Sequence, residues 1–430
     1  MNRLLIKHAR VVDPSQRLDD GLDVLVVDGK VERIAERIQD KGAEVLDAAG
    51  LIAAPGFIDV HVHLREPGYE YKETVASGTA AALAGGFTAL CCMANTNPVN
   101  DNAAVTEFVR ARAEEAGNAR VYPIGAVSKG LAGEELAELG EMVRAGAVGF
   151  SDDGRPVHNA HLMRKALEYA RMFDVPIVEH AEDLDLVSKG VMHEGAVSTR
   201  LGLKGITAAA EDVVVARDLI LADSFSARLH VAHVSTRGSI HRIRVAKGRG
   251  VPVTCEVTPH HLALTDEAVA ATEYDTNTKM NPPLRSADHV EALIEAVLDG
   301  TVDCLASDHA PHHADEKALE FDLAPFGIVG LETAIPVTWD VLVRKHKMPV
   351  SRFVQLWTTN PARVYRLPGG TLKPGSPADI TLLDPEARAT VSPERFRSAS
   401  RNTPFGGMRL RGWPAATIVG GEVRYRRERR

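Results

Sequence analysis

The sequence predicts an α/β protein, a (β/α)8 TIM-type barrel with a small β-sandwich domain built from both termini. Three observations carry this. Eight apolar, β-branched-rich runs recur through the middle of the chain, with helix-like segments between many of them. Short strand patterns punctuated by turn signals occupy the two ends instead. Nearly every apolar run of the middle ends, on its C-terminal side, in a residue type that binds metal ions.

At the N-terminal end, Leu4–Ile6, Val24–Val27 and Val31–Ile34 read as short strands between Asp-Pro and Asp-Gly turns. Ile380–Leu383 and Ala416–Val419 match them at the other end, with Pro374-Gly-Ser-Pro and Gly420-Gly as turns. Residues 1–53 and 367–430 are therefore expected to form the small β domain together, and residues 54–366 the barrel. The eight barrel runs are Leu51–Val62, Phe87–Met93, Val121–Val127, Ala147–Phe150, Val175–Val178, Leu229–Val234, Val251–Val257 and Val302–Ala306. Leu162–Phe173, Ala210–Leu221 and Val290–Leu298 are helix-like connections. A doubly wound sheet is the alternative, but no GxGxxG phosphate loop supports it.

Composition narrows the function. The 430 residues are 45 % hydrophobic, enough for one large domain and a smaller one. Lys and Arg number 50 against 58 Asp and Glu, a net charge of −8 that does not favour nucleic acid or anionic membranes. The basic stretch Arg424–Arg430 reads as a short solvated tail. Cys91, Cys92, Cys255 and Cys304 lie in apolar strand-like runs without CxxC spacing, as reduced core residues would. The opening Met1-Asn-Arg-Leu-Leu-Ile-Lys-His lacks the apolar core of a signal peptide. Val75–Asn100 is uncharged and long enough to span a bilayer, yet its Gly, Ser, Thr and Asn content fits a small-residue helix followed by a strand Phe87–Ala94. A cytoplasmic protein with neither nucleic-acid nor membrane partner is expected.

The ends of the apolar runs carry the chemistry. They are His61-Val-His63, Asn95, Asp152-Asp153, His180, His233, His260-His261 and Asp308-His309. In a barrel, these chain positions converge on one rim, where such folds hold their active sites. His61 and His63 are two apart on a strand and point to the same side. An isolated HxH is more often a polar strand end, but the company of His180, His233 and Asp308 makes the set specific. Nitrogen and carboxylate ligands without thiolates suit zinc. Four imidazoles and two carboxylates exceed the needs of one tetrahedral ion, whereas a shared carboxylate, Asp152 or Asp153, would let two ions use them all. His260 and His261 are adjacent and would point opposite ways on a strand, so they are expected to make structural hydrogen bonds. His158, His161, His193 and His289 fall in loops or helical stretches with no catalytic part, and His313 is expected to face solvent.

The stretch Pro55-Gly-Phe-Ile-Asp-Val-His-Val-His-Leu-Arg-Glu-Pro-Gly68 resembles the first barrel strand of the amidohydrolase superfamily, in its bacterial type I dihydroorotase form. The similarity continues through Met93-Ala-Asn-Thr-Asn-Pro98, Gly149-Phe-Ser-Asp-Asp-Gly154, Glu179-His-Ala-Glu182 and His233-Val-Ser235. Met280-Asn-Pro-Pro-Leu-Arg285, Ser307-Asp-His-Ala-Pro-His312 and Gly370-Thr-Leu-Lys-Pro-Gly-Ser-Pro-Ala-Asp379 extend it over essentially the whole chain. The resemblance implies that His61, His63 and Asp308 hold one zinc ion, that His180 and His233 hold a second, and that Asp153 bridges them. Many superfamily members bridge with a carboxylated lysine. No Lys lies in 149–154, which matches the branch using aspartate.

The implied reaction is the reversible cyclisation of N-carbamoyl-L-aspartate to L-dihydroorotate in de novo pyrimidine synthesis. Hydroxide made available at zinc attacks the ring amide, and Asp308 shuttles the proton. Arg65 is expected to pair with the substrate carboxylate, and Asn95 to add an amide donor. By resemblance, substrate contacts fall on His63, Arg65, Asn95, Asn281 and His312, with backbone contacts from Phe326 and Gly327. Allantoinase and hydantoinase are the nearest rivals, and Asp153 with Arg65 weighs against both. A non-catalytic subunit supporting aspartate transcarbamoylase is a rival of another kind, disfavoured because every expected ligand is present. A homodimer and a complex with that transcarbamoylase stay open.

Overall fold

The computed structural model describes residues 2–428. Strands from both ends of the chain share one eight-stranded sheet, ordered Glu422–Arg426, Arg409–Val419, Ile380–Thr390, Ile52–Pro55, Arg3–Asp13, Leu18–Val27 and Lys30–Ala35, with Glu44–Asp47 also paired to Arg3–Asp13. The expected terminal strands all lie within these longer ones. The sheet buries an apolar cluster to which Leu4, Ile6, Val24 and Val26 contribute from one end and Ile380, Leu382 and Ile418 from the other. Neither end could bury its apolar face alone. Asp13 fastens them, its buried carboxylate accepting from Ser15 N at 2.9 Å and from Leu372 N at 2.7 Å. The segment expected to be a solvated tail is partly structured: Arg424 and Arg426 sit in the edge strand Glu422–Arg426, where Arg426 meets Glu44 at 3.4 Å. A charged edge of this kind discourages pairing with another chain. Arg429 and Arg430 lie outside the described residues.

The run Leu51–Val62 serves two sheets. Ile52–Pro55 pairs with Ile380–Thr390, and Phe57–Val62 opens the barrel. The chain passes between them at Gly56, where a Cβ would lie 2.0 Å from Thr88 Oγ1, so only glycine fits.

Phe57–Val62, Phe87–Cys92 and Arg120–Pro123 form one parallel ribbon. Ile177–Glu179, Leu229–Val231, Val253–Val257 and Cys304–Leu305 form a second. Phe150 joins them through parallel bridges to Gly125 and Ile177, and a bridge from Val62 to His309 closes the ring on the other side. Eight segments thus make the predicted barrel rather than an open doubly wound sheet. The fourth, expected over Ala147–Phe150, is reduced to this bridge. Its backbone is nonetheless bonded on both flanks, with Val148 N on Pro123 O at 3.0 Å and Val178 N on Phe150 O at 2.8 Å.

The intervening helices cover the barrel. Ala160–Arg171, capped by Asn159, buries Leu162, Met163, Ala166, Leu167 and Ala170 along one stripe. Full burial of a leucine such as Leu167 contributes about 2 kcal/mol. Val75–Asn100 divides into helix Val75–Ala84 and strand Phe87–Cys92 at Gly85-Gly86, as expected. Among the described residues no helix is long and apolar enough to cross a membrane. All four cysteines are buried and unpaired with one another.

Candidate metal centre and substrate pocket

The strand ends bring His61, His63, Asp153, His180, His233 and Asp308 together, all buried. His61 Nε2 lies 3.4 Å from Asp153 Oδ1 and 3.6 Å from Asp308 Oδ1. His63 Nε2 lies 3.4 Å from Asp153 Oδ2 and 3.2 Å from Asp308 Oδ1. On the far side, His180 Nδ1 and His233 Nε2 stand 3.3 and 3.2 Å from Asp153 Oδ1. Asp153 thus touches His61 and His63 with one triad and His180 and His233 with another. Its neighbour Asp152 faces away, accepting from Val127 N and Ser128 N at 2.9 Å each, which decides between the two aspartates as the central group.

His233 and Asp308 reach the centre on left-handed backbone, with φ of +29° and +45°. Such conformations in non-glycine residues cost on the order of 1–3 kcal/mol and persist where surrounding contacts hold them. Burial alone would raise Asp153, but the charge of His61 and the contacts of His180 and His233 hold it well below the usual carboxylate range. His61 Nε2 is buried without a hydrogen-bond partner while aimed at two carboxylates, an orphaned ring nitrogen in the position of a metal ligand. Four imidazoles and two carboxylates with this convergence fit divalent metal ions of the zinc type.

A further layer holds the ligands. Glu256 Oε1 lies 2.6 Å from His61 Nδ1, and its Oε2 lies 3.0 Å from His230 Nε2, whose Nδ1 meets Thr254 Oγ1 at 2.7 Å. Burial pushes Glu256 upward, yet the His61 charge and the bonds from His230 and His61 outweigh it and bring the group down to about 2. Its carboxylate therefore fixes the His61 ring with Nε2 facing the centre. Sequence reasoning passed over Glu256 and His230, although a charged or polar residue inside the buried strands Val253–Val257 and Leu229–Val231 is the signal that marks them. Asn95, expected as a substrate donor, has its Oδ1 2.8 Å from His63 Nδ1, so it orients that ring and leaves its amide nitrogen.

The remaining predicted residues gather beside this centre. Arg65 donates from Nε to Pro311 O at 3.2 Å, and its terminal nitrogen lies 3.4 Å from His312 Nε2. Burial, then the charges of Arg65, Lys72 and Lys317, push His312 down to about 2 and keep it neutral. Gly327 packs against the same ring; a Cβ there would meet His312 Cδ2 at 2.7 Å. Its N–H is committed to Lys279 O at 2.9 Å. Asn281 Nδ2 lies 3.4 Å from His180 Nε2 and donates to Glu182 Oε1 at 3.0 Å. Glu182, which was not singled out, also sits 3.5 Å from His180 Nε2.

The other histidines divide. His260 and His261 lie in the helical turn Pro259–Ala263, not on a strand, because the strand stops at Val257. His261 bonds Thr258 Oγ1 at 2.7 Å and Pro282 O at 2.9 Å, a structural role as expected. His260 departs from that expectation: its buried Nε2 has no partner. His193 is buried in the two-residue strand Met192–His193 rather than in a loop or helix, 3.2 Å from an Arg285 nitrogen. His158, His161 and His313 are exposed, and His313 caps the turn Ala314–Lys317.

A barrel whose strand ends present four histidines and Asp308 around the central Asp153 carboxylate has the architecture of the amidohydrolase superfamily. The solved structures agree. An L-hydantoinase (dihydropyrimidinase) from Arthrobacter aurescens superposes with a TM-score of 0.88 at 26 % identity, covering 100 % of this chain and 97 % of that one. A D-hydantoinase (dihydropyrimidinase) from a Thermus species gives 0.84 at 26 % identity over 98 % and 95 %. A sequence model described as Dihydro-orotase-like matches residues 50–239. Proteins named dihydroorotase from Anaeromyxobacter dehalogenans (strain 2CP-C) and Syntrophotalea carbinolica are 59 % and 54 % identical to it, covering 98 % and 99 % of this chain and 97 % and 99 % of theirs. The chain belongs to the dihydroorotase family.

Proposed function

We propose that the protein is a cytoplasmic zinc enzyme that interconverts N-carbamoyl-L-aspartate and L-dihydroorotate in pyrimidine synthesis. The observation that carries the reading is Asp153 shared between two histidine pairs, in a chain similar over nearly its whole length to proteins named dihydroorotase. His61, His63 and Asp308 would hold one ion and His180 with His233 another, with Asp153 between them. Zinc bound there supplies Lewis-acid polarisation of the ring amide and lowers the pKa of water from about 15.7 to near 7.

The chain's own residues do the rest. Asp308 Oδ1 faces the two imidazoles of the first strand, leaving Oδ2 to accept a proton from the attacking water and deliver it to the departing ring nitrogen. Burial opposes ionisation of Asp308, but the charges of His61, His63 and His233 hold it well below the usual range, so it starts as a base. Ring closure runs the same transfer backwards. Arg65, Asn281 and His312 receive the substrate carboxylate, the Asn95 amide nitrogen and the Phe326 backbone complete the pocket, and Gly327 lets that backbone approach His312. The hydantoinase-type structures bear on the fold; Asp153 in place of a bridging lysine and Arg65 near the pocket favour the carboxylate-bearing substrate.

The test is L-dihydroorotate hydrolysis by the purified protein, before and after chelation and zinc restoration, with hydantoin and allantoin alongside. Turnover confined to dihydroorotate and restored by zinc is expected. Turnover of hydantoin instead, or none with the metal sites filled, would overturn the reading; the second result favours a supporting subunit of aspartate transcarbamoylase. Light scattering, alone and with that enzyme, tests whether the working assembly is a homodimer or a mixed complex.

A further inference from the structure

Two lysines that the proposed chemistry does not use are buried beneath the substrate pocket, Lys279 at 2 % exposure and Lys317 at 8 %. Lys279 Nζ donates to Phe321 O at 2.6 Å and Asp322 O at 3.0 Å, and lies 4.7 Å from the centre of the Phe326 ring. Lys317 Nζ donates to Pro325 O at 2.9 Å and Gly327 O at 3.2 Å. Among the described residues neither ammonium has an ion-pair partner. Burial pushes both lysines down, Lys317 to about 7, and backbone carbonyls of one short arc, 321–327, together with the Phe321 and Phe326 rings beside Lys279, offset the cost of burying them. Asn402 extends the clamp, donating to Gly327 O and Ala310 O at 3.0 Å each while its Oδ1 accepts from His312 N at 3.1 Å.

We propose that Lys279 and Lys317 are positioning residues for the substrate. By turning the carbonyls of the arc inward they fix the Phe326–Gly327 backbone against the His312 ring, beside Arg65, where the carboxylate is received. Neither lysine touches the reacting atoms. Lys317 also adds to the positive charge of Arg65 and Lys72 around a neutral His312, while Glu316 Oε2 lies 3.3 Å from the Nδ1 of that ring. The inference rests on the dihydroorotase reading.

The experiment is steady-state hydrolysis of L-dihydroorotate by the zinc-loaded full chain and by Lys279→Met, Lys317→Met and Lys317→Arg, with zinc content measured for each. Loss of positioning predicts a rise in KM of about tenfold or more in both methionine variants with kcat within about threefold. Zinc content stays unchanged. Lys317→Arg keeps donors for the two carbonyls and returns KM to within about threefold of the parent. Methionine variants with KM within about twofold of the parent, or losing kcat and zinc together, overturn the proposal. An unmutated chain without dihydroorotate turnover would instead sink the functional reading, and this inference with it. Should the methionine variants fail to fold, hydrogen exchange on the unmutated chain decides: orotate must slow exchange of the 321–328 amides, and an unchanged rate overturns the placement of the arc.

Discussion

His61, His63, His180 and His233 stand at or just beyond the ends of barrel strands, no more than 5 % exposed, and each ring is held against a carboxylate or a neighbouring imidazole. Arg65, Asn281, His312 and Phe326 lie on the loops above, mostly half-buried; Arg65 is held by Pro311 O and His312, and Asn281 by Glu182. The strand-borne half owes its geometry to sheet register, which fixes side-chain direction every second residue. The loop-borne half owes it to contacts between segments as far apart as Arg65 and His312, 247 residues. Damage to the first half should therefore appear as lost metal, and damage to the second as weakened substrate binding.

Removing the shared carboxylate should have the largest effect on the strand-borne half. Asp153→Ala leaves four imidazoles facing one another in a buried site without the group that compensates their charge. Metal content and dihydroorotate turnover should fall by far more than the roughly 10–100-fold typical of an outer ligand partner. Metal analysis of the purified variant checks it; full metal content with full activity would refute Asp153 as the central group.

Glu256→Gln comes next. It keeps the shape of the side chain and one acceptor, but removes the charge that fixes His61 and His230. A loss of roughly 10–100-fold in zinc affinity is expected, read by competition with a chelator. Arg65→Ala should do the reverse: zinc content unchanged and KM for dihydroorotate higher by about 10–100-fold, from the loss of a charge-assisted contact of about 1.5–3 kcal/mol. Lost zinc in Arg65→Ala, or an altered KM with intact zinc affinity in Glu256→Gln, would erase the distinction between the two halves.

The same difference decides what could be read from the sequence. The barrel, the terminal β domain and the convergence of His61, His63, His180, His233 and Asp308 were legible because strand ends carry a period and a direction. Asp152 and Asp153 could not be told apart: both end the run at Phe150, and the backbone amides of Val127 and Ser128, which capture Asp152, come from another strand's loop. The fourth strand was overread because a single bridge at Phe150 suffices where both neighbours supply the hydrogen bonds. Local reasoning placed His260 and His261 on a strand, but Pro259 begins a helical turn there. Arg65 was expected from its place two residues beyond His63 as well as from family resemblance, but Asn281, His312, Phe326 and Gly327 came from resemblance alone, since no local pattern tells a loop residue which distant loop it will meet.

His261 gives the gentlest test, because it joins the two halves. It lies in the turn after the seventh barrel strand and holds the carbonyl of Pro282, next to Asn281. Burial pushes its imidazole down to about 3, against about 6.5 when unfolded. The unfolded chain therefore binds an extra proton between those values, so the contribution of His261 to stability is complete above about pH 6.5 and is lost as the pH falls toward 3. Relative to His261→Gln, which does not titrate, the parent protein should lose about 1.4 kcal/mol of its advantage for each pH unit below about 6.5. Urea unfolding of the two proteins at pH 7, 6 and 5 measures the gap. A gap that stays constant would mean that His261 is not held neutral, and that the Asn281 loop is anchored to the barrel by something other than this hydrogen bond.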